Sequence, residues 1–143
     1  LDEKLLNQFK LLDEYLIILD DISKYNKEMF LKDKIVYGAA ERYLQLAIET
    51  CINVGNRVIS LNQFDKQIDI PNTYADVFNI LAKMDIIPQD FANNLVGMAK
   101  FRNKLVHNYW EIDRNKVFDI ISNNLIDIKR FRDYMLKFLK KET

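Results

Sequence analysis

The stretch Lys100-Phe101-Arg102-Asn103-Lys104-Leu105-Val106-His107-Asn108-Tyr109-Trp110 holds the groups in this chain best suited to phosphate chemistry, and none of its residues is acidic. Arginine carries a permanent charge on a planar fork that can grip two phosphate oxygens at once. Histidine titrates near neutrality, so it can take a proton and return it. Set against an RNA phosphodiester, His107 would remove the proton of a ribose 2′-OH. The freed oxygen would attack the adjacent phosphorus while Arg102 stabilised the added negative charge. Asn103 could orient either the phosphate or the imidazole. This chemistry needs no metal. His107 and Cys51 are each the only residue of their kind, which argues against a Cys/His zinc cage. The acidic pairs Asp2-Glu3, Asp13-Glu14 and Asp20-Asp21 show no ligand spacing and are expected on the outside of the first helix.

Spacing alone leaves other readings open. Five residues of ideal helix turn through about 500°, so Arg102 and His107 would point roughly 140° apart. They converge if the helix ends or unwinds near His107, where the apolar pattern breaks at Asn108, or if a second copy of the chain completes the site across a two-fold axis. A histidine near a helix C-terminus can also serve only to stabilise the helix dipole, and an arginine can simply be solvated. Tyr109 could do no more than cover a helix end. Glu49, within an apolar helix, could orient Arg102 or His107, or face solvent. Cys51 reads as a small core residue, since only Arg57, six positions on, is near enough in sequence to lower its pKa. Lys129, Arg130, Arg132, Lys137, Lys140 and Lys141 form a basic C-terminal stretch that could touch RNA phosphate. A solvated face placed favourably for the helix dipole is the simpler account.

The elements that position these groups follow from composition and periodicity. A chain of 143 residues is one domain's worth, and we expect a single domain over 1–143. Three glycines and two prolines cannot punctuate an all-β fold. Twenty-one basic and twenty-one acidic residues give zero net charge, which argues against coating nucleic acid by bulk electrostatics; contact with it would have to be local. The longest uncharged run is nine residues, Phe91 to Ala99, too short to span a bilayer. No basic-then-apolar leader opens the sequence, so a cytoplasmic protein is expected, although Leu1 is not a start methionine.

Apolar residues step by three and four almost throughout, in stripes such as Leu5, Phe9, Leu12, Leu16 and Leu19. A second stripe, Val36, Ala40, Tyr43, Ala47, Thr50, Val54 and Val58, predicts a long helix from a cap at Asp33 to near Ser60. Gly38 and Gly55 lie inside it, where close approach of a neighbouring helix would explain them. Thr73 and Asp76 form a capping box for a short helix, Pro88 opens a medium one ending near His107, and Asp113 caps one long last helix through Phe138. The expectation is an all-α antiparallel bundle of about five helices.

Arg102-Asn103-Lys104-Leu105-Val106-His107-Asn108-Tyr109 resembles the Arg-x4-His-x-Tyr motif of the HepT-like branch of the HEPN (higher eukaryotes and prokaryotes nucleotide-binding) superfamily. Tyr43-Leu44-Gln45-Leu46-Ala47-Ile48-Glu49, continuing through Asn53 and Asn56, is similar to the second helix of that branch, and Tyr74 to Leu81 resembles its short third helix. The resemblance covers roughly residues 30 to 125 and implies a toxin of a toxin–antitoxin pair. It implies a homodimeric, metal-independent endoribonuclease with Arg102 and His107 of both protomers in one cleft and Asn103 as an auxiliary polar group. No cofactor is implied. The implied partner is a minimal nucleotidyltransferase (MNT) antitoxin that transfers AMP to the motif tyrosine, Tyr109. Two alternatives remain at this point: a catalytically inactive HEPN module that binds nucleotide or acts through a nucleotidyltransferase complex, and a purely structural bundle.

Overall fold

The computed structural model describes residues 2–63, 68–107, 110 and 112–142. Seven helices occur among them and no strand: α1 (Glu3–Ser23), α2 (Lys27–Lys32), α3 (Lys34–Asn62), α4 (Tyr74–Lys83), α5 (Gln89–His107), α6 (Arg114–Asn123) and α7 (Leu125–Glu142). The expected stripes are the buried faces. Leu5, Phe9, Leu12, Leu16 and Leu19 of α1 are all buried, and Val117, Ile121, Leu125, Ile128, Phe131 and Met135 form one line through α6 and α7. Phe138 is only half-buried, and Leu139 takes the final core position instead.

Two differences raise the helix count from five to seven. The short α2 is capped by Asn26, whose side chain accepts from the Met29 N–H at 2.8 Å. It buries Phe30 alone, too little for a periodic signal. The expected single last helix is broken at Asn124. Its side-chain amide reaches Asp127 at 3.3 Å and its carbonyl accepts from the Asp127 N–H at 3.0 Å. Asparagine favours such local bonds over an uninterrupted helix, and the apolar line keeps its phase across the break.

Helix α3 is the centre of the bundle and packs against each of the other six helices. Asp33 caps it as expected, accepting from the Ile35 and Val36 N–H groups. Its two glycines have different explanations. A Cβ at Gly55 would lie 2.5 Å from Val77 Cγ1 and 3.1 Å from Leu81 Cδ1, so this glycine lets α4 close on α3. Gly38 meets nothing within 4 Å, which corrects the expectation of a close neighbour there. Cys51 is buried, as expected, and burial pushes its thiol up to about 12.

The charged surface also departs from expectation. Asp13 and Asp20 do not simply face solvent: Arg132 reaches Asp13 at 2.6 Å and Lys129 reaches Asp20 at 3.0 Å. The basic C-terminal helix is thus partly consumed by the acidic first helix. Such part-exposed pairs contribute only about 0–1 kcal/mol each, so they align α7 on α1 more than they stabilise it. No described helix is long and apolar enough to cross a membrane.

The glycines give a paired test. Gly38→Ala should raise stability by up to about 1 kcal/mol through helix propensity alone. In Gly55→Ala that gain is outweighed by the roughly 1–3 kcal/mol cost of overpacking against the stiff Val77 side chain. Opposite shifts of the denaturant midpoint at unchanged m-value are the expected outcome.

Candidate active site

Arg102, Asn103, Val106 and His107 lie on the last two turns of α5 and line one cleft of about 650 Å³. The opposite wall is Pro71, Asn72, Thr73 and Tyr74, the segment entering α4, and Asn56 of α3 completes it. The 140° separation is resolved by adjacent ridges. Arg102 and Val106 form one i,i+4 ridge, Asn103 and His107 the next, and the cleft spans both where the helix ends. The structure therefore brings Arg102, Asn103 and His107 together. Tyr109 lies outside the described residues.

Glu49 is the fourth candidate, and the structure ties it to Arg102. Its Oε1 accepts from Arg102 Nη2 at 2.6 Å and from Nε at 2.9 Å. Gln45, one turn earlier on α3, donates to the same oxygen at 3.0 Å. The side chains are 13% and 26% exposed, so the pair sits where water screens it poorly. Of the two orientations open from sequence, holding Arg102 is the one found.

Arg102 Nη1 donates to Asn103 Oδ1 at 3.2 Å. A guanidinium has five N–H bonds. Three are committed to Glu49 and Asn103, which fixes the plane of the fork; the other two have no partner among the described residues and are available to an oxyanion. The Tyr74 ring lies against the same guanidinium, with its centroid 4.9 Å from Cζ. Sequence reasoning did not single out Tyr74 for the site, nor the wall it belongs to. The available signal was the capping box.

That box holds the wall in place. Asp76 Oδ2 accepts from the N–H groups of Asn72 and Thr73 at 3.0 and 3.1 Å, and the Asp76 N–H donates to Thr73 Oγ1 at 3.2 Å. The Asn72 N–H above all, then the bonds with Thr73, holds the Asp76 carboxyl below the usual carboxylate range. A depressed carboxylate stabilises the fold above its unfolded pKa and loses that effect as pH falls through the folded value. The contribution of this brace is therefore fully present at neutral pH and weakens in acid. Among the described residues, no three His, Cys, Asp or Glu side chains gather where a metal ion could sit.

A helical bundle with an arginine and a histidine set across the end of one helix is the architecture of the HEPN class. The chain belongs to the HepT-like family: the family model described as "Ribonuclease HepT-like" matches residues 12–135. It is similar to the mRNA nuclease HepT of Shewanella oneidensis, 28% identical over 116 residues that cover 81% of this chain and 80% of the relative. It is also similar to the tRNA nuclease HepT of Aphanizomenon flos-aquae, 28% identical over 115 residues, 80% of this chain and 76% of the relative. Among solved structures, the tri-AMPylated S. oneidensis HEPN toxin in complex with MNT antitoxin shares the fold, with a TM-score of 0.85 and 23% identity over 96% of this chain and 99% of that one.

The Glu49 contact predicts graded variants. Glu49→Ala should lower the single-turnover rate of RNA cleavage about 100-fold, the scale of a misplaced reacting group. Glu49→Gln should lose less, because its amide oxygen still accepts from the guanidinium. Circular dichroism should show unchanged helix content in both.

Proposed function

We propose that this chain is the toxin of a toxin–antitoxin pair, an endoribonuclease of the cytoplasm that cleaves RNA without metal. The observation that carries this reading is the cleft that Arg102, Asn103 and His107 share, with the guanidinium held by Glu49 and two of its N–H bonds left for phosphate.

In the proposed reaction, the His107 imidazole takes the proton of the ribose 2′-OH as that oxygen bonds to phosphorus. Arg102 stabilises the extra charge on the phosphoryl oxygens, and Asn103 supports the fork. The bond from phosphorus to the 5′-oxygen then breaks, and the leaving oxygen takes a proton from a second imidazolium. One chain has a single histidine. A homodimer whose two-fold axis passes through the cleft supplies the second, so that one His107 acts as base and its symmetry mate as acid. The products are a 2′,3′-cyclic phosphate and a 5′-hydroxyl.

The proposed antidote is an MNT antitoxin that transfers AMP from ATP to Tyr109, two residues beyond His107. The adenylyl group would bring a phosphate toward Arg102 and occupy space that RNA needs. The MNT antitoxin named in the similar Shewanella complex, whose toxin is tri-AMPylated, supports this part of the reading.

The purified protein should cut RNA in the presence of EDTA and leave the two product ends named above. Arg102→Ala and His107→Ala should each abolish cleavage and growth inhibition while helix content and dimer mass stay unchanged. Dependence on added divalent metal, or toxicity of both variants equal to that of the parent, would overturn the mechanism. After incubation with ATP and an MNT nucleotidyltransferase, sought in the reading frame beside this one, the intact mass should rise by one or more AMP increments, and Tyr109→Phe should remove an increment. A parent chain of unchanged mass would overturn the antidote.

A further inference from the structure

The cleft wall contains an aromatic side chain that the proposed chemistry leaves without a task. Tyr74 is the first residue of α4 and is 43% exposed, although its ring lies against the Arg102 guanidinium and lines the cleft. An aromatic ring kept exposed beside a phosphate-binding group has the makings of a stacking surface. Single-stranded RNA is commonly held by a cation on its backbone and an aromatic ring under an unstacked base. The dimensions agree. The ring centroid is 4.9 Å from Arg102 Cζ, so a phosphate on the guanidinium would carry its own base within reach of the ring.

The wall is built to hold this ring in place. Thr73 and Asp76 cap α4 reciprocally, which sets the backbone at the residue between them and the cleft. Gly55 admits Val77 and Leu81, one and two turns further along α4, hard against α3. Tyr74 is thus anchored from behind by packing and from its N-terminal side by a cap.

We propose that Tyr74 is the base-stacking platform of the cleft, holding the unpaired base of a nucleotide that flanks the phosphate on Arg102. This rests on the ribonuclease reading above and adds the residue that holds the substrate's base. The phenol hydroxyl is dispensable and the ring is not. Because any base has a π-face, the platform selects for unpaired bases rather than for one base identity.

The test uses binding, so that it stands apart from cleavage. A short 2′-O-methyl oligoribonucleotide, which cannot undergo 2′-OH attack, is made with 2-aminopurine at each position in turn. With the parent protein one position should show strong fluorescence quenching as it stacks. Tyr74→Ala should remove that quenching and weaken binding about 10- to 100-fold, the range for losing one base–aromatic stack. Tyr74→Phe should keep both. The same oligonucleotide annealed to its complement should bind the parent at least as weakly as the single strand binds Tyr74→Ala. The inference is overturned if no position is quenched with the parent, if quenching and affinity survive in Tyr74→Ala, or if the duplex binds as well as the single strand. Cleavage of unmodified RNA by the parent is scored separately. Its absence would count against the ribonuclease reading, whereas stacking lost in Tyr74→Ala would still support the platform.

Discussion

The ion pair between Arg102 and Glu49 is the constraint on which the cleft depends. An arginine left alone on a helix surface samples many rotamers and presents its fork in no fixed plane. Here one carboxylate oxygen takes both Nε and Nη2, and Gln45 holds that oxygen from the other side. The pair joins residues 53 positions apart on α3 and α5. It therefore exists only when those helices dock in one register, and the core decides that register. Met98, Ala99, Phe101 and Leu105 of α5 are buried, as are Leu44, Ala47, Ile48 and Val54 of α3. Removing the carboxylate would leave a poorly exposed guanidinium without its counter-charge, an arrangement more costly than losing a surface pair.

The same constraint explains why zero net charge is compatible with a nucleic-acid substrate. The average conceals a separation. The acids of α1 are matched against cations of α7, at Asp13 with Arg132 and Asp20 with Lys129. Helix α5 has no acidic residue after Asp90, and Lys100 and Lys104 are exposed near the cleft residues. Glu49, the carboxylate that meets Arg102, is engaged with it through two N–H bonds. Local charge on one helix matters more to a phosphate than the total.

Much of the fold was legible because burial imposes its period on sequence. The stripe of α1, the Asp33 and Asp113 caps and the Thr73–Asp76 box all report local physics, and each occurs where it was expected. Asn124 was not legible as a break, because the apolar stripe runs through it unchanged while the side-chain bond to Asp127 acts locally. Gly38 and Gly55 look alike in sequence, and only the position of α4 separates them. At the site, Arg102, Asn103 and His107 were legible as residue types with a spacing. Their convergence depends on two neighbouring ridges at a helix end, a feature that their angular separation conceals. Glu49 was legible only as a carboxylate on an apolar helix, since its partner lies across the fold. Tyr74 was hidden as a catalytic neighbour because it reads as the first residue of a capped helix.

In the proposed reaction the nucleophile is the substrate's own 2′-oxygen, activated by His107 within the arginine cleft. The most direct measurement maps a cut site on a synthetic RNA and replaces the single 2′-OH at that position with hydrogen, leaving the rest of the strand intact. Loss of cleavage at that bond, with binding retained, is expected. Cleavage of the 2′-deoxy bond at a rate comparable to the ribose bond would contradict it, because the attacking oxygen would then have to come from elsewhere.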